Sequence, residues 1–219
     1  MNKKAVNIFN WVISVLLCSL GIALCTKASF GLSMIAAPPY ILHVCLREYL
    51  PWFSQGTAEY IIEGLIIVIT ALSIKKFKPK FLLSFVTAVI LGFCIDFWFL
   101  LLGGNGVAES LGERIILFLI GAPLISLAVA FVFRTTLPPQ AYELVVTEIA
   151  KKYSFDQTRV KLANDIIMLF ITFSLALLLN RSWDGVGVGT VVVTFFNAPT
   201  IKFFGKIIDK IEKTDQNNA

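Results

Sequence analysis

Three acidic side chains lie inside otherwise apolar stretches of this sequence. Asp96 is in "VILGFCIDFWFLLL", and Glu63 and Asp165 each lie one to two turns inside the start of another apolar run. A charge at the centre of a membrane helix costs about 2.5–3.5 kcal/mol, so such a residue usually faces a cavity or pairs with another charge. These carboxylates are therefore candidates for substrate binding or ion coupling, and Asp96 is the deepest of them along its own run.

Two cations each end an apolar run that then breaks. Lys27 stands in "CTKASFGLS" and Arg134 in "FRTTLPPQ". Either cation is expected to neutralise the acids of the spans or to bind a substrate. Ser29 and Ser33 follow Lys27 and are added as candidates for the same site, because small residues allow close approach of backbones.

Composition and motifs argue against metal, cofactor and enzymatic chemistry. His43 is the single histidine, the four cysteines have no C-x-x-C spacing, and no H-E-x-x-H is present. The glycine-rich "GVGVGT" lacks the lysine of a phosphate-binding loop. We expect no metal, no cofactor and no enzyme. A transferase that uses carboxylates alone is the enzymatic alternative.

The elements that must position these residues are membrane-spanning helices. The chain is 57% hydrophobic and 15% charged, with a mean hydropathy of +0.81, whereas soluble domains carry about 25% charged residues. Six continuous apolar runs approach the roughly 20 residues that a spanning helix needs. They are Asn7–Cys25, Ala58–Ile74, Phe81–Leu102, Ile115–Phe133, Leu162–Leu179 and about Thr190–Phe204. The sequence thus predicts an all-α polytopic membrane protein.

The positions of the cations predict the orientation. With six spans and both termini on one side, that side holds the 19 Lys and Arg residues except Lys27, Arg47, Arg114 and Arg181. The positive-inside rule then places both termini in the cytoplasm. The net charge of +5 is explained by anionic lipid at this face, so no nucleic-acid partner is expected.

The two halves of the chain resemble each other weakly. "SLGIALCTK" aligns with "SLAVAFVFR", which pairs Lys27 with Arg134, and the same comparison pairs Glu63 with Asp165. Three spans per half is an odd number, so such halves must have opposite orientations. We predict one membrane domain over residues 1–219 with an inverted 3+3 repeat, whose halves are 7–102 and 114–208, and a flexible cytoplasmic tail at 209–219.

Each half is also interrupted after its first span. Pro38 and Pro39 follow the first break, and Pro138 and Pro139 follow the second. Residues 28–45 are expected to form either a broken, re-entrant segment or an amphipathic interfacial helix. The more polar "AYELVVTEIAKKY" of the second half is expected at the cytoplasmic surface.

The order of several loose motifs resembles the YczE/YyaS/YitT group of small bacterial integral membrane proteins. The motifs are Leu20–Leu42, "GFCIDF", "VKLANDIIMLF" and Gly185–Phe204. The resemblance implies five or six spans, acids in the third and fifth spans at Asp96 and Asp165, and a transport-related role in the bacterial cell membrane. The chain departs from this pattern at Ala198, where a glycine is expected before the proline, and at Arg134, where a lysine is more usual.

Three functions fit this sequence. The first is a small-molecule transporter with its substrate between the two repeats, and the second is the substrate-binding subunit of a multi-component importer. The third is a membrane assembly or regulatory factor that transports nothing. The expected partners are the lipid bilayer, an unidentified small solute and either importer subunits or further copies of the chain.

Overall fold

A computed structural model describes residues 3–75, 77–104, 106–180 and 185–217, and these residues form helices and no strands. A short π-helical turn, Ala176–Asn180, extends the seventh helix. The helices are α1 (Lys3–Ala28), α2 (Ala37–Leu46), α3 (Gln55–Ile74), α4 (Pro79–Leu101), α5 (Leu111–Val132), α6 (Ala141–Tyr153), α7 (Gln157–Leu175) and α8 (Val188–Asn217). The predicted all-α class is confirmed.

Six helices of the described part of the chain are long and apolar enough to cross a membrane. They are Lys4–Ala28, Gln55–Ile74, Pro79–Leu101, Leu111–Val132, Gln157–Leu179 and Val188–Ile211. Each overlaps one of the six apolar runs of the sequence, so the predicted number of spans is confirmed. Large apolar side chains such as Leu72, Leu100 and Leu178 are exposed on the outside of the bundle, as expected for a lipid-facing surface. The protein is thus a multi-pass membrane protein.

Local sequence explains where several helices begin. The hydroxyls of Ser54 and Ser110 accept hydrogen bonds from the first turns of α3 and α5, and the Asp156 carboxylate does so for α7. These side chains satisfy backbone N–H groups that have no partner inside the helix. Proline lies in the first turn of both α2 and α4, where its missing N–H costs nothing.

The helix pair α1–α5 forms the centre of the bundle. Gly21 and Gly121 bring these helices together, because a Cβ on either glycine would lie within 2.8–3.0 Å of the other's carbonyl oxygen. On either side of this pair, α1 contacts α4 and α5 contacts α8. Helix α3 completes one side against α4, and α7 completes the other against α8.

The segment that leads into α2 is enclosed by the bundle. Residues 31–39 are all buried, and Ala36 and Ala37 belong to the same core as Ile22 of α1 and Ile95 of α4. The segment therefore packs inside the protein, and its re-entrant or interfacial position in the bilayer stays a prediction.

The start of α6 is buried as well. We expected this helix at the surface, but Ala141, Tyr142, Glu143 and Leu144 are at most 1% exposed. The carbonyl of Pro138, which precedes α6, accepts a hydrogen bond from Trp11 Nε1 of α1 at 3.0 Å and another from Thr87 Oγ1 of α4 at 3.1 Å. The expectation is wrong for this first part of α6, where Glu143 is buried, whereas Lys151 and Lys152 at the other end of the helix are exposed.

Backbone hydrogen bonds join the chain at the end of the bundle opposite its termini. Gly189 N donates to the Phe30 carbonyl at 2.8 Å, and Leu32 N donates to the Gly185 carbonyl at 2.9 Å. Gly31, between the two bonded residues, has φ +110°, and a side chain there would overlap Thr190. The segment before α2 is therefore tied to the start of α8.

The last described helix reaches into the predicted cytoplasmic tail. Helix α8 continues to Asn217 and so includes residues 209–217, while the flexibility of this tail stays a prediction. Residues 218–219 lie outside the described residues. The same holds for 181–184, which include Arg181 of the loop that was expected outside the cell.

Candidate functional site

Asp96 is a helix-capping residue in this structure. It is half-buried near the end of α4, and its Oδ2 accepts a hydrogen bond from Ser54 Oγ at 2.6 Å. Its Oδ1 accepts another from Gly56 N at 3.1 Å. A carboxylate at a helix N-terminus stabilises it by hydrogen bonding and by interaction with the helix dipole. The position of Asp96 along its apolar run suggested the deepest acid of the three candidates. In the structure it is less buried than Glu63 and Asp165.

We expect Asp96→Ala to lower the free energy of unfolding by about 0.5–2 kcal/mol, the usual cost of losing a cap. Asp96→Asn keeps one acceptor oxygen and should retain part of this stability. Thermal unfolding in detergent, with Glu109→Gln on an exposed loop as the control, measures both. Equal midpoints for wild type and Asp96→Ala would contradict the capping role.

The predicted cations do not pair with the predicted acids. Lys27 Nζ donates to the Gly104 carbonyl at 3.1 Å. Arg134 forms a bidentate pair with Asp209, at 2.7 and 2.9 Å. Among the described residues, neither cation forms an ion pair with Glu63, Asp96 or Asp165. Neutralisation of these acids by Lys27 and Arg134 was a wrong expectation.

The two candidate serines have backbone roles. Ser29 ends α1 with φ 50°, and its carbonyl accepts a hydrogen bond from Arg114 Nη2 at 2.9 Å. Ser33 is buried, and its carbonyl accepts hydrogen bonds from Ala36 N and Ala37 N, at 3.0 and 2.9 Å. Both serines shape the segment between α1 and α2.

A buried ionic network lies where α6, α7 and α8 meet. Lys161 is 1% exposed, and its Nζ lies 2.8 Å from Asp165 Oδ1 and 3.6 Å from Glu143 Oε1. Asn197 Nδ2 donates to Asp165 Oδ2 at 3.1 Å, and Ser126 Oγ donates to Asn197 Oδ1 at 2.8 Å. Lys161 and Asp165 are four residues apart on α7, a spacing that brings oppositely charged side chains together on one helix face.

Two more carboxylates extend this network towards α3. Glu59 and Glu63 are fully buried, and Glu63 Oε2 accepts a hydrogen bond from Ala141 N, at the start of α6, at 2.7 Å. Within the described residues, both carboxylate oxygens of Glu59 and the Tyr142 hydroxyl have no hydrogen-bond partner. We call Glu59, Glu63 and Glu143, which interact electrostatically with one another, the buried acidic group.

The balance of charge at this junction is negative. Within the described residues, the four buried carboxylates of Glu59, Glu63, Glu143 and Asp165 accompany one buried ammonium, that of Lys161. Burial raises the pKa of the Glu143 carboxyl above its usual value, although nearby Lys161 opposes that shift. An unpaired charge is very costly in such surroundings. At least part of the buried acidic group must therefore hold protons or be neutralised by a bound cation.

Metal binding is one way to neutralise carboxylates. In the described parts of the chain, however, no three His, Cys, Asp or Glu side chains are placed so that they could hold a metal ion. Protonation fits the arrangement of Glu59, Glu63 and Glu143 better.

A cavity of about 390 Å³ lies beside the ionic network, at the end of the bundle that holds the termini. We call it the terminal cavity. Its lining residues are Phe133, Arg134, Gln157, Thr158, Lys161, Ala198, Ile201, Lys202, Lys206 and Asp209. Lys161 thus belongs both to the lining and to the buried ionic network, so the two sites are contiguous.

A glycine allows Arg134 to lie across α8. A Cβ on Gly205 would be 2.5 Å from Arg134 Nη2, so a side chain at this position would meet the guanidinium. Arg134 Nη1 also donates to the carbonyl of Ala130 at 2.8 Å. The guanidinium is therefore fixed at the wall of the terminal cavity.

Of the sequence candidates, Glu63 and Asp165 belong to the buried junction and Arg134 to the terminal cavity, whereas Lys27, Ser29, Ser33 and Asp96 lie outside both. Glu59, Tyr142, Glu143, Lys161 and Asn197 were not chosen as candidates. One signal was available: Glu59 and Lys161 are separated by the same number of residues as Glu63 and Asp165. The other residues required knowledge that the start of α6 is buried.

Comparison with known proteins identifies a relative and a family for this chain. The chain is 27% identical over 203 residues to the uncharacterized protein YyaS of Bacillus subtilis (strain 168). This alignment covers 90% of the chain and 92% of the relative. No solved structure matches the chain. Residues 5–206 match the model of a family of unknown function, DUF6198. The predicted resemblance to YyaS-type proteins is thereby confirmed, and the chain belongs to the DUF6198 family.

Proposed function

We propose that this protein is a small-molecule transporter of the bacterial cell membrane, with both termini in the cytoplasm. Its two inverted halves enclose a coupling and substrate region at their interface. The observation that carries this proposal is the buried junction of Glu59, Glu63, Glu143, Lys161 and Asp165 in a membrane bundle. Ionisable residues inside membrane helices are rare, and they commonly mark ion and substrate pathways.

The order and contacts of the helices support two related halves. Each half, α1–α4 and α5–α8, has one long helix, one short helix and two long helices. Several contacts between two helices also have an equivalent in the other half. The contact of α1 with α4 corresponds to that of α5 with α8, that of α2 with α3 to α6 with α7, and that of α3 with α4 to α7 with α8. Between the halves, the contact of α3 with α6 corresponds to that of α7 with α2. The largest contact joins α1 with α5, the first helix of each half. A twofold axis in the membrane plane, passing between α1 and α5, would account for this pattern.

The short helices support the location of the site. Pro38 and Pro39 lie in the first turn of α2, Pro138 and Pro139 come shortly before α6, and the first residues of both helices are buried. Glu63 accepts its hydrogen bond from the first residue of α6. Secondary transporters commonly bind substrates and ions where such half-helices end inside the bundle.

The unpartnered state of Glu59 supports proton coupling. An ionised carboxylate that is fully buried without a hydrogen bond is strongly disfavoured, and both oxygens of buried Glu59 have no hydrogen-bond partner among the described residues, so we propose Glu59 as the group that carries the proton. Release of that proton requires a change of surroundings, which an alternating-access movement supplies. Glu59 is therefore the residue through which a proton gradient would drive a solute.

Glu59→Gln tests this proposal, because an amide resembles the protonated carboxyl but cannot release a proton. Proteoliposomes with an imposed pH gradient would receive a mixture of metabolites, and mass spectrometry would measure the solutes that accumulate inside. Wild type should accumulate at least one solute above the level of protein-free vesicles. Glu59→Gln should lose accumulation driven by the gradient while keeping its fold and exchange of that solute without a gradient.

Glu109→Gln makes the same chemical change on an exposed loop and should transport like wild type. Equal gradient-driven accumulation by Glu59→Gln would contradict proton coupling through this residue. Absence of uptake by wild type, with gradients of either direction, would contradict the transporter itself.

A further inference from the structure

The terminal cavity has a strongly basic lining. Four of its side chains are cationic, those of Arg134, Lys161, Lys202 and Lys206, and one is acidic, that of Asp209. The charge of Lys161 is balanced by the buried carboxylates of Asp165 and Glu143. That of Arg134 is balanced by Asp209. Lys202 and Lys206 therefore give the cavity its net positive charge.

The two lysines are well placed to act together. They are four residues apart on α8, so they lie on the same face of the helix, and both are exposed. Among the described residues, neither forms an ion pair. Two ammonium groups at one cavity wall would bind an anion that carries more than one oxygen.

The start of α7 forms another part of the cavity wall. Gln157 and Thr158 are in its first turn and line the cavity. Backbone N–H groups in the first turn of a helix have no partner inside it and carry the positive end of the helix dipole. Asp156 already satisfies one of them, that of Arg159, but the side-chain amide and hydroxyl of Gln157 and Thr158 remain as donors on this wall.

Asp209 shows which ligand chemistry the cavity accepts. Its two oxygens occupy both arms of the Arg134 guanidinium, at 2.7 and 2.9 Å. This bidentate geometry suits carboxylate and phosphate alike. Asp209 is half exposed, at 52% of its side chain, so an incoming oxyanion can replace it without uncovering a buried group.

We propose that the terminal cavity binds a small oxyanion, with Lys202, Lys206 and Arg134 as its charged ligands and Asp209 as a resident competitor. A volume of about 390 Å³ suits a small molecule, since ligand pockets span about 300–1,000 Å³. This inference rests on the proposed function in one respect, because it names an oxyanion as the class of substrate. The same oxyanion chemistry is available from a free phosphate and from the headgroup of an anionic lipid.

Equilibrium binding of radiolabelled inorganic phosphate to the full chain tests the proposal. The protein would be held in nanodiscs of phosphatidylcholine, which offers no anionic headgroup. Asp209→Asn should tighten binding about tenfold, because it frees Arg134 from a charged hydrogen-bond partner. The double variant Lys202→Gln and Lys206→Gln should weaken binding at least about tenfold. Lys151→Gln, an exposed lysine outside the cavity, should bind like wild type.

A parallel arm measures retention of phosphatidylglycerol by the same variants in mixed nanodiscs. Saturable phosphate binding in the neutral nanodiscs, with opposite effects of the aspartate and lysine variants, assigns the site to a soluble oxyanion. Variant-dependent retention of phosphatidylglycerol without phosphate binding assigns the same oxyanion site to a lipid headgroup. Binding that is absent in both arms, or that Asp209→Asn and the double lysine variant leave unchanged, overturns the proposal.

The two proposals fail separately. Phosphate binding by a protein that accumulates no solute would leave the oxyanion site and remove the transporter. Accumulation of an uncharged or cationic solute by a protein that binds no oxyanion would remove the cavity assignment alone.

Discussion

Lys161→Met should lower the midpoint of thermal unfolding by roughly 6–20 °C. Removal of one partner from a buried ion pair costs about 3–5 kcal/mol, and each kcal/mol shifts the midpoint by about 2–4 °C in a chain of this size. Among the residues that the structure describes, Lys161 carries the one ammonium that pairs with Asp165 and Glu143, so its removal leaves these two carboxylates without a described cation. Fluorescence-detected unfolding in detergent measures the shift.

Lys151→Met provides the matched control, because Lys151 is exposed and should tolerate the change. A rescue variant makes the test decisive even if Lys161→Met fails to fold. Lys161→Met combined with Asp165→Asn and Glu143→Gln removes all three charges together, and it should recover much of the lost stability. A single variant as stable as wild type would show that the ion pairs do not stabilise the protein, and a triple variant no better than a destabilised single one would contradict unpaired charge as the cause.

Gly56→Ala should lower the free energy of unfolding by about 3 kcal/mol, at the upper end of the usual range for overpacking. Gly56 in α3 and Gly92 in α4 face each other, and a Cβ on Gly92 would be 2.5 Å from the Gly56 carbonyl oxygen. A Cβ on Gly56 would overlap the Gly92 carbonyl in the same way. Because the obstacle is backbone, the two helices must separate to admit a methyl group. Separation would also disturb the Asp96 cap, which bonds to Gly56 N.

Two other glycines serve as controls for this effect. A Cβ on Gly112, near the start of α5, would meet nothing within 4 Å, so Gly112→Ala should not destabilise the protein. A Cβ on Gly64 would meet the ring of Phe85 at 3.1 Å, and a side chain can move aside more easily than backbone. The unfolding midpoint should therefore be highest for Gly112→Ala, lower for Gly64→Ala and lowest for Gly56→Ala. A different order would mean that close approach of α3 and α4 is not what Gly56 provides.

The spanning helices could be predicted from the sequence because their signal is local. A continuous apolar run of about 20 residues has few alternatives in a membrane protein. The Lys161–Asp165 pair was predictable for the same reason, since spacing along one helix determines whether two side chains meet.

The positions of Asp96 and Glu143 depend instead on contacts between distant segments. The depth of Asp96 was judged along α4 alone, whereas its role comes from the start of α3, which lies against it in the folded protein. Glu143 belongs to a helix whose later residues, Lys151 and Lys152, are typical of a surface. Only the path of the chain through Pro138 and Pro139 brings the start of that helix among the spans, and no local pattern specifies that path.

The backbone hydrogen bonds between the segment before α2 and the start of α8 have a further consequence. They join Phe30 with Gly189 and Leu32 with Gly185, and no side chain takes part in them. Two such bonds contribute about 1–3 kcal/mol in total. This free energy corresponds to a factor of about 5–150 in a conformational equilibrium. The two bonds alone therefore add only a modest preference to that given by the buried packing of residues 31–39.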